Sequence, residues 1–356
     1  MPHYNAYDSF KTKRSVDKKK RAKYRSRNKK SVISNDFIVK TGTHFGVVIE
    51  VRYDDAYVLY DGEIVVAKLR KDLNTVCNQM LFPGDHVVLK KDNDVYIVTN
   101  LISRNTLLSR VKKDSTRLDD SVGLTKNIAA NINVAVIVVA VKEPPLHERF
   151  IDRYLMILRN SGINAVICLN KCDLKTTENE KLEVYKKIGI PVVETSALEK
   201  NGIDVLKKYL KGKQAIFVGN SGVGKSSLIN LIMDNDEILT NTISEKSKRG
   251  RHTTTASKYY IWDEDSSIID TPGIRSLDIS SFDTNEIQDY FPEFDDWSRL
   301  CKYSNCIHFN EPYNVCYVKQ GVATGMIDKH RYESYIRIIE SLENVTFNND
   351  IPDISK

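Results

Sequence analysis

The stretch Gly219-Asn220-Ser221-Gly222-Val223-Gly224-Lys225-Ser226 fits the phosphate-binding pattern G-x-x-x-x-G-K-[ST]. Glycines let backbone amides wrap polyphosphate oxygens, and a helix that starts there turns its positive dipole end on the same anion. Lys225 reaches for the β- and γ-phosphates, the Ser226 hydroxyl suits magnesium, and Ser227 extends the loop into the helix. The context is the one the motif requires: the apolar strand Gln214–Val218 precedes it and the apolar helical run Leu228-Ile229-Asn230-Leu231-Ile232 follows. A second group, Asp270-Thr271-Pro272-Gly273, ends the apolar run Ser267-Ile268-Ile269. A carboxylate at such a strand end holds magnesium through water, which pairs Asp270 with Ser226 as magnesium residues and makes Gly273 part of the phosphate turn.

A third group identifies the base. Asn170-Lys171-Cys172-Asp173 closes the strand Ala165–Asn170 and resembles the guanine-specificity motif N-K-x-D of GTPases. The Asp173 carboxylate accepts from the ring N–H and the exocyclic amine of guanine, donors that adenine does not offer in that arrangement, so ATP is the runner-up. One helix and one strand later, Thr195-Ser196-Ala197 resembles the loop that supports the base. GTPases usually run phosphate loop, switch threonine, D-x-x-G, N-K-x-D, then serine–alanine. Here the base loops come first and Asp270–Gly273 comes last, which is a circular permutation. Movement at the D-x-x-G turn then passes straight into the C-terminal segment.

Between phosphate loop and Asp270 lies Lys248-Arg249-Gly250-Arg251-His252-Thr253-Thr254-Thr255. Thr253 or Thr254 can join the magnesium shell; a polar basic loop is the plain alternative. Many GTPases place a water-orienting Gln after D-x-x-G, but this chain has Ile274, whose side chain cannot position water. His252 is the candidate for that task, with RNA contact as its other reading.

Cys301-x4-Cys306-x-His308-x7-Cys316 offers three thiolates and one imidazole, a donor set for closed, structural tetrahedral zinc. The spacing differs from the C-x2-C ribbon. Cys77, Cys168 and Cys172 are scattered and read as packing residues. Lys329–Leu342 has helical spacing with Arg331, Tyr332, Tyr335 and Arg337 interleaved, either an RNA-facing helix or an ordinary amphipathic one.

These groups need elements to hold them. Short β-rich runs at His44–Arg52, Ala56–Tyr60, Glu63–Leu69, His86–Lys90 and Val95–Asn100 predict a five-stranded OB-fold barrel. From Asn131 the texture becomes apolar strands alternating with amphipathic helices: Val134–Val141, a helix over Glu148–Arg159, Ala165–Asn170, a helix near Asn179–Ile188, Val192–Glu194, a helix over Ile203–Leu210, and Gln214–Val218. That alternation predicts a parallel sheet covered on both faces. After Ser280 the chain turns helical and cysteine-bearing. The expected division is a basic disordered arm at 1–35, an OB-fold RNA-binding domain at 36–115, a circularly permuted GTPase domain at 116–280 and a zinc-binding helical domain at 281–356.

The chain has 356 residues, 41% hydrophobic and 28% charged, with a formal charge of +6. The arm between Lys11 and Lys30 holds twelve Lys or Arg against Asp17, a charge of +11, leaving 41 basic and 46 acidic residues elsewhere. So dense a block repels itself and fits a polyanion, where neutralised phosphates release counterions. A solvated tail and an organelle transit peptide are the alternatives, the second lacking amphipathic spacing. The longest strongly apolar run, Val134–Val141, is far below the ~18–20 residues that span a bilayer. No membrane partner is expected, and six cysteines in a chain this long point to a cytoplasmic protein rather than a disulfide scaffold.

The permuted motif order, Gly250–Thr255 reading GRHTTT, and Cys301, Cys306, His308 and Cys316 together resemble the RsgA (YjeQ) family. The likeness runs from the β-rich segment through Arg331-Tyr332-Glu333-Ser334-Tyr335. It implies a multidomain α/β protein with GTP/GDP, Mg2+ and one structural Zn2+. It also implies a cytoplasmic, monomeric GTPase stimulated by the small (30S) ribosomal subunit, binding its rRNA and acting as a late maturation checkpoint. The resemblance makes His252 catalytic. The His308–Cys316 interval is two residues longer than the common pattern. A GTPase serving tRNA or another ribonucleoprotein is the remaining alternative.

Overall fold

Alternation with period two shapes the first part of the molecule. In β2 (Asp55–Tyr60), Ala56 and Val58 are fully buried while their neighbours are not. With β1 (Thr43–Arg52), β3 (Glu63–Leu69), β4 (His86–Asp92) and β5 (Val95–Leu101) it closes a barrel in the order β1-β2-β3-β5-β4. β3 and β5 run parallel, whereas β1–β2, β2–β3 and β4–β5 are antiparallel. Val48, Ala56, Val58, Ala67, Val87, Leu89 and Val98 fill the interior. This is the expected OB-fold barrel. The computed structural model describes residues 43–69, 80–111, 125–174, 180–234, 258–270, 279 and 282–343. The basic arm, Cys77, His252, Thr253, Thr254, Gly273 and Ile274 lie outside them.

β6 (Leu107–Val111) and β7 (Thr125–Ala130) form an antiparallel pair beyond the five strands that the alternation predicts. The two strands bracket position 115, so the expected limit of the barrel domain falls between hydrogen-bonded partners. Beyond them lies a six-stranded sheet: β8 (Val134–Ala140), β9 (Asn164–Asn170), β10 (Val192–Glu194), β11 (Gln214–Val218), β12 (Lys258–Asp263) and β13 (Ser266–Asp270). Its order is β10-β9-β8-β11-β13-β12, parallel throughout except for the edge strand β12.

Every residue of β8 is buried, because each face of the sheet carries its own core. Ala135, Ile137 and Val139 face Ile151, Tyr154 and Leu158 of α1 (Glu148–Asn160), spaced i, i+3 and i+7 on one helical stripe. Val134, Val136 and Val138 join Leu206 and Leu210 of α3 (Ile203–Leu210) and Leu228 and Ile232 of α4 (Lys225–Asp234). Burying each of these Val, Leu and Ile side chains favours folding by roughly 1.5–3 kcal/mol. The helix expected near Asn179–Ile188 is shorter: a 3-10 turn at Glu180–Leu182, then α2 (Glu183–Lys187).

The C-terminal part contains α5 (Asp295–Ser298), α6 (Tyr317–Ala323) and α7 (Lys329–Glu343). Phe291, Phe294 and Tyr335 share the core cluster of α1 and β8. The side chains of α7 decide between its two readings. Arg331, Tyr332 and Tyr335 are all buried, leaving only Arg337 of the four exposed. Arg331 makes ion pairs with Asp152 of α1 and with Glu293 (Nε–Oε1 2.6 Å), and lies 4.5 Å from the centre of the Phe291 ring. α7 is therefore an amphipathic packing helix, and the RNA-facing alternative fails for those three residues. No described helix is long and apolar enough to cross a membrane.

Candidate functional site

In parallel strands of a twisted sheet, the loops after the carboxyl ends gather on one edge, where ligands of such folds bind. Register places Asn170 beside Ala140, Glu194 beside Leu169, and Ile269 beside Ile216. The base loops, the phosphate loop and Asp270 thus share that edge. Lys225 opens α4, and Ser226 and Ser227 are exposed in its first turn. The Leu228 amide donates to Gly224 O at 3.0 Å, so the helix grows directly from the loop. The Lys225 ammonium donates to the carbonyls of Gly219 (2.8 Å) and Asn220 (2.7 Å).

Asn170 is 1% exposed and stitches three loops together. Its amide nitrogen donates to Val223 O at 2.9 Å. Its amide oxygen accepts from the Ala197 backbone N–H at 3.1 Å and from the Thr195 hydroxyl at 3.2 Å. The fit is close enough to demand glycine at 224, where φ is +94° and a Cβ would stand 2.2 Å from Asn170 Nδ2. The Ser196 hydroxyl donates to Asp173 Oδ1 at 2.5 Å, and the Cys172 amide donates to Thr195 O at 3.0 Å. Asp173 is thus held from one side. Lys171 adopts φ +61°, and its ammonium donates to the Glu143 carbonyl. Glu143 belongs to no motif, because its contribution is a main-chain oxygen that any residue there offers.

The scattered cysteines behave as packing residues where described. Cys168 is buried against Thr195, at 3.3 Å between Sγ and Oγ1, and burial pushes its thiol up to about 12. Cys172 is half-buried, and its thiol donates to Leu169 O.

The second cluster lies in the C-terminal part. The sulfurs of Cys301, Cys306 and Cys316 and His308 Nδ1 all lie within 4.8 Å of one another. Sulfur–nitrogen separations are 3.7, 3.2 and 3.5 Å in that order. A zinc tetrahedron with Zn–S arms of about 2.3 Å has edges of about 3.8 Å, so the donors fit the ion. His308 Nε2 lies 2.9 Å from Gln288 Oε1. An amide oxygen only accepts, so Nε2 carries the proton and Nδ1 turns its lone pair to the sulfurs. Hydrogen bonds from Cys306 and Cys316 hold the Cys301 thiol well below its usual range. Tyr332 donates to His308 O at 2.7 Å and Tyr335 donates to Ile307 O, which explains why the two tyrosines face inward. The long His308–Cys316 interval is accommodated without opening the cluster.

A family model described as RsgA GTPase matches residues 101–280. The small ribosomal subunit biogenesis GTPase RsgA of Caldanaerobacter subterraneus is 38% identical over 222 residues, 62% of this chain and 74% of that protein. The protein of the same name from Pseudomonas fluorescens is 35% identical over 305 residues, 84% of each chain. Among solved structures, YjeQ from Thermotoga maritima matches at a TM-score of 0.66 and 29% identity, over 85% of this chain and 100% of that one. YloQ, titled a circularly permuted GTPase, matches in fold at 0.64 and 24% identity, over 88% of this chain and 99% of its own. With its base loops ahead of its phosphate loop on one sheet edge, the chain is a GTP hydrolase and belongs to the RsgA GTPase family.

Proposed function

We propose that this GTPase acts in biogenesis of the small ribosomal subunit, binding its rRNA and hydrolysing GTP faster when seated on the subunit. The observation that carries the reading is Asn170, whose hydrogen bonds to Val223 and Ala197 join a guanine-type base loop to a phosphate loop. The relatives named for small-subunit biogenesis supply the partner.

In this reading Asn170, Lys171, Asp173, Ser196 and Ala197 hold guanine, and the amides of Gly219 to Ser227 cradle the phosphates. Lys225 turns its donors from the Gly219 and Asn220 carbonyls to the β- and γ-phosphate oxygens. Ser226 and Asp270 would hold Mg2+, which when bound neutralises charge on those oxygens. Gly273 belongs to the nucleotide-binding set, Thr253 or Thr254 would join the magnesium shell, and His252 would accept a hydrogen bond from the attacking water. Cys301, Cys306, His308 and Cys316 would hold one structural Zn2+. The four-part division at 1–35, 36–115, 116–280 and 281–356 belongs to the same proposal, as does action as a cytoplasmic monomer.

GTP occupancy then serves as a checkpoint on the maturing subunit, and hydrolysis releases the factor. Ser226→Ala should still load onto the subunit but fail to leave. The deciding experiment is GTP turnover with and without purified small subunits, repeated with large subunits and naked RNA. Stimulation confined to the small subunit supports the reading. No stimulation by any of them moves the function to another ribonucleoprotein.

A further inference from the structure

At the edge of the sheet opposite the nucleotide loops lies a buried polar joint that no motif describes. Its centre is Gln214, the first residue of β11 and 8% exposed. The amide nitrogen donates to Ala130 O at 2.7 Å and to Asn131 O at 3.1 Å. The amide oxygen accepts from the Tyr259 hydroxyl of β12 at 2.8 Å, and the same hydroxyl lies 3.0 Å from Ser267 Oγ of β13. The main chain of Gln214 is closed on Asn133, donating to its Oδ1 at 2.7 Å and accepting from its amide at 2.9 Å.

The barrel reaches into this joint through the turn before β4. The Gly84 amide donates to Val48 O of β1, the Val48 amide donates to Asp85 O, and the Ala130 amide donates to Pro83 O at 3.0 Å. Asn131 Nδ2 donates to Gly84 O at 2.8 Å. No side chain fits at Gly84: φ is +89°, and a Cβ would stand 2.2 Å from Ala130 O and 2.4 Å from Gln214 Nε2. Asp85 is fully buried and clamps the turn through Arg104, with Nε–Oδ1 at 2.6 Å and Nη2–Oδ2 at 2.7 Å.

The Gln214 amide therefore ties the foot of β11 to the end of β7 and to Tyr259 of β12, whose hydroxyl also meets Ser267 of β13, while Ala130 and Asn131 of the same joint are bonded to the barrel turn. The head of β11 is the phosphate loop, about 13 Å away at the rise of a strand, and the head of β13 is Asp270. Buried amides with every donor and acceptor satisfied resist displacement, because breaking them strands polar groups away from water. We infer that Gln214 is a positioning residue for the stimulated reaction alone, outside the nucleotide-binding machinery: through Ala130 and Asn131 it couples the barrel turn to the strands that carry the phosphate loop and Asp270. A polyanion seated on the barrel then bears on the nucleotide site through this joint. The functional half of the inference rests on the subunit-stimulated reading above.

The test uses the full chain with Gln214→Leu, which keeps the volume and removes the amide, and with Tyr259→Phe, which removes one hydroxyl. Basal turnover, turnover on small subunits, subunit binding by sedimentation and backbone hydrogen exchange are measured together. Gln214→Leu should keep subunit binding and basal turnover within about twofold while stimulated turnover falls about tenfold, a size that coupling residues show. Exchange at the Gly84, Ala130 and Asn133 amides should quicken at least tenfold, while β8 and β9 stay protected. Stimulated turnover that falls only in step with basal turnover would overturn the positioning role. If wild type is not stimulated at all, the subunit reading has failed instead. Unchanged exchange in Gln214→Leu would then overturn the lock itself. Should Gln214→Leu not fold, Tyr259→Phe carries the same comparisons with a smaller expected loss.

Discussion

Asn170 donates a 2.9 Å hydrogen bond to the carbonyl of Val223, a residue 53 positions further along the chain. The bond joins the N-K-x-D loop to the G-x-x-x-x-G-K-S loop, so neither is shaped alone. Asn170→Ala removes that bond and leaves the Val223 carbonyl and the Ala197 amide short of a partner. Such losses cost about 1–3 kcal/mol, or roughly ten- to a hundredfold in affinity, for GTP and GDP alike. Calorimetric titration with GDP reads the effect. Wild-type affinity in the variant would mean that the two loops hold their shapes independently.

Arg331 makes the corresponding link for the C-terminal part. Its guanidinium is 3% exposed and meets Asp152 of α1 on one side and Glu293 on the other. Arg331→Met leaves the buried Asp152 and the partly exposed Glu293 without their cation, at a cost of about 3–5 kcal/mol. Chemical denaturation should show a loss of that size. Adding Asp152→Ala should recover part of it, because one stranded charge is gone.

How far the sequence speaks depends on whether a function is contiguous. Gly219–Ser226 was legible because backbone amides, lysine and hydroxyl must follow one another along the chain. The barrel strands were legible from alternation, and β3, β10 and β11 match their expected limits. Gln214 and Glu143 were not, since each acts on main-chain atoms that the fold brings from elsewhere. β12 and the β6–β7 pair were missed for a related reason: each becomes a strand by pairing with a neighbour more than by its own apolar pattern. For α7, spacing showed an amphipathic helix but not which face would be covered. Only the packing of Phe291, Phe294 and the Cys/His loop decides that.

Cys168 gives the fold an alkaline limit. Its thiol has a pKa of about 9.0 in the unfolded chain and is pushed up to about 12 when buried in β9. An acid whose pKa is raised by folding contributes its full stability below the unfolded value and loses it as pH rises toward the folded one. Stability should therefore fall from about pH 9 to 12, in part through this group. Cys168→Ala should flatten the slope in that window relative to wild type, as read by denaturant midpoints at several pH values. Parallel curves for the two proteins would assign the alkaline loss to other groups.

The Cys301, Cys306, His308 and Cys316 cluster predicts about one zinc per chain, because its donors fit a closed tetrahedral site. Removal of the metal by a chelator should loosen α7 as well, since Tyr332 and Tyr335 are hydrogen-bonded to the loop between the ligands. Cys306→Ser should lose zinc and lower the melting temperature. Metal analysis that finds no zinc in protein of native stability would sink the assignment. Chelation that releases zinc without changing exchange in α7 would restrict its effect to the loop.

His252 carries the prediction closest to chemistry. Ile274, directly after Asp270-Thr271-Pro272-Gly273, has no group to orient water, so the hydrogen-bond acceptor comes from another group of the chain or from a partner. His252 is two residues after Gly250 in a threonine-rich loop between the phosphate loop and Asp270, and a neutral imidazole accepts at one nitrogen while donating at the other. His252→Ala should leave GTP affinity within about twofold and lower turnover on the small subunit by about 10²–10⁴-fold, the usual contribution of a positioned base. The comparison needs both measurements, because a histidine that only contacts RNA would weaken subunit binding and leave turnover of the bound protein intact. Stimulated turnover at the wild-type rate in His252→Ala would remove this histidine from the reaction.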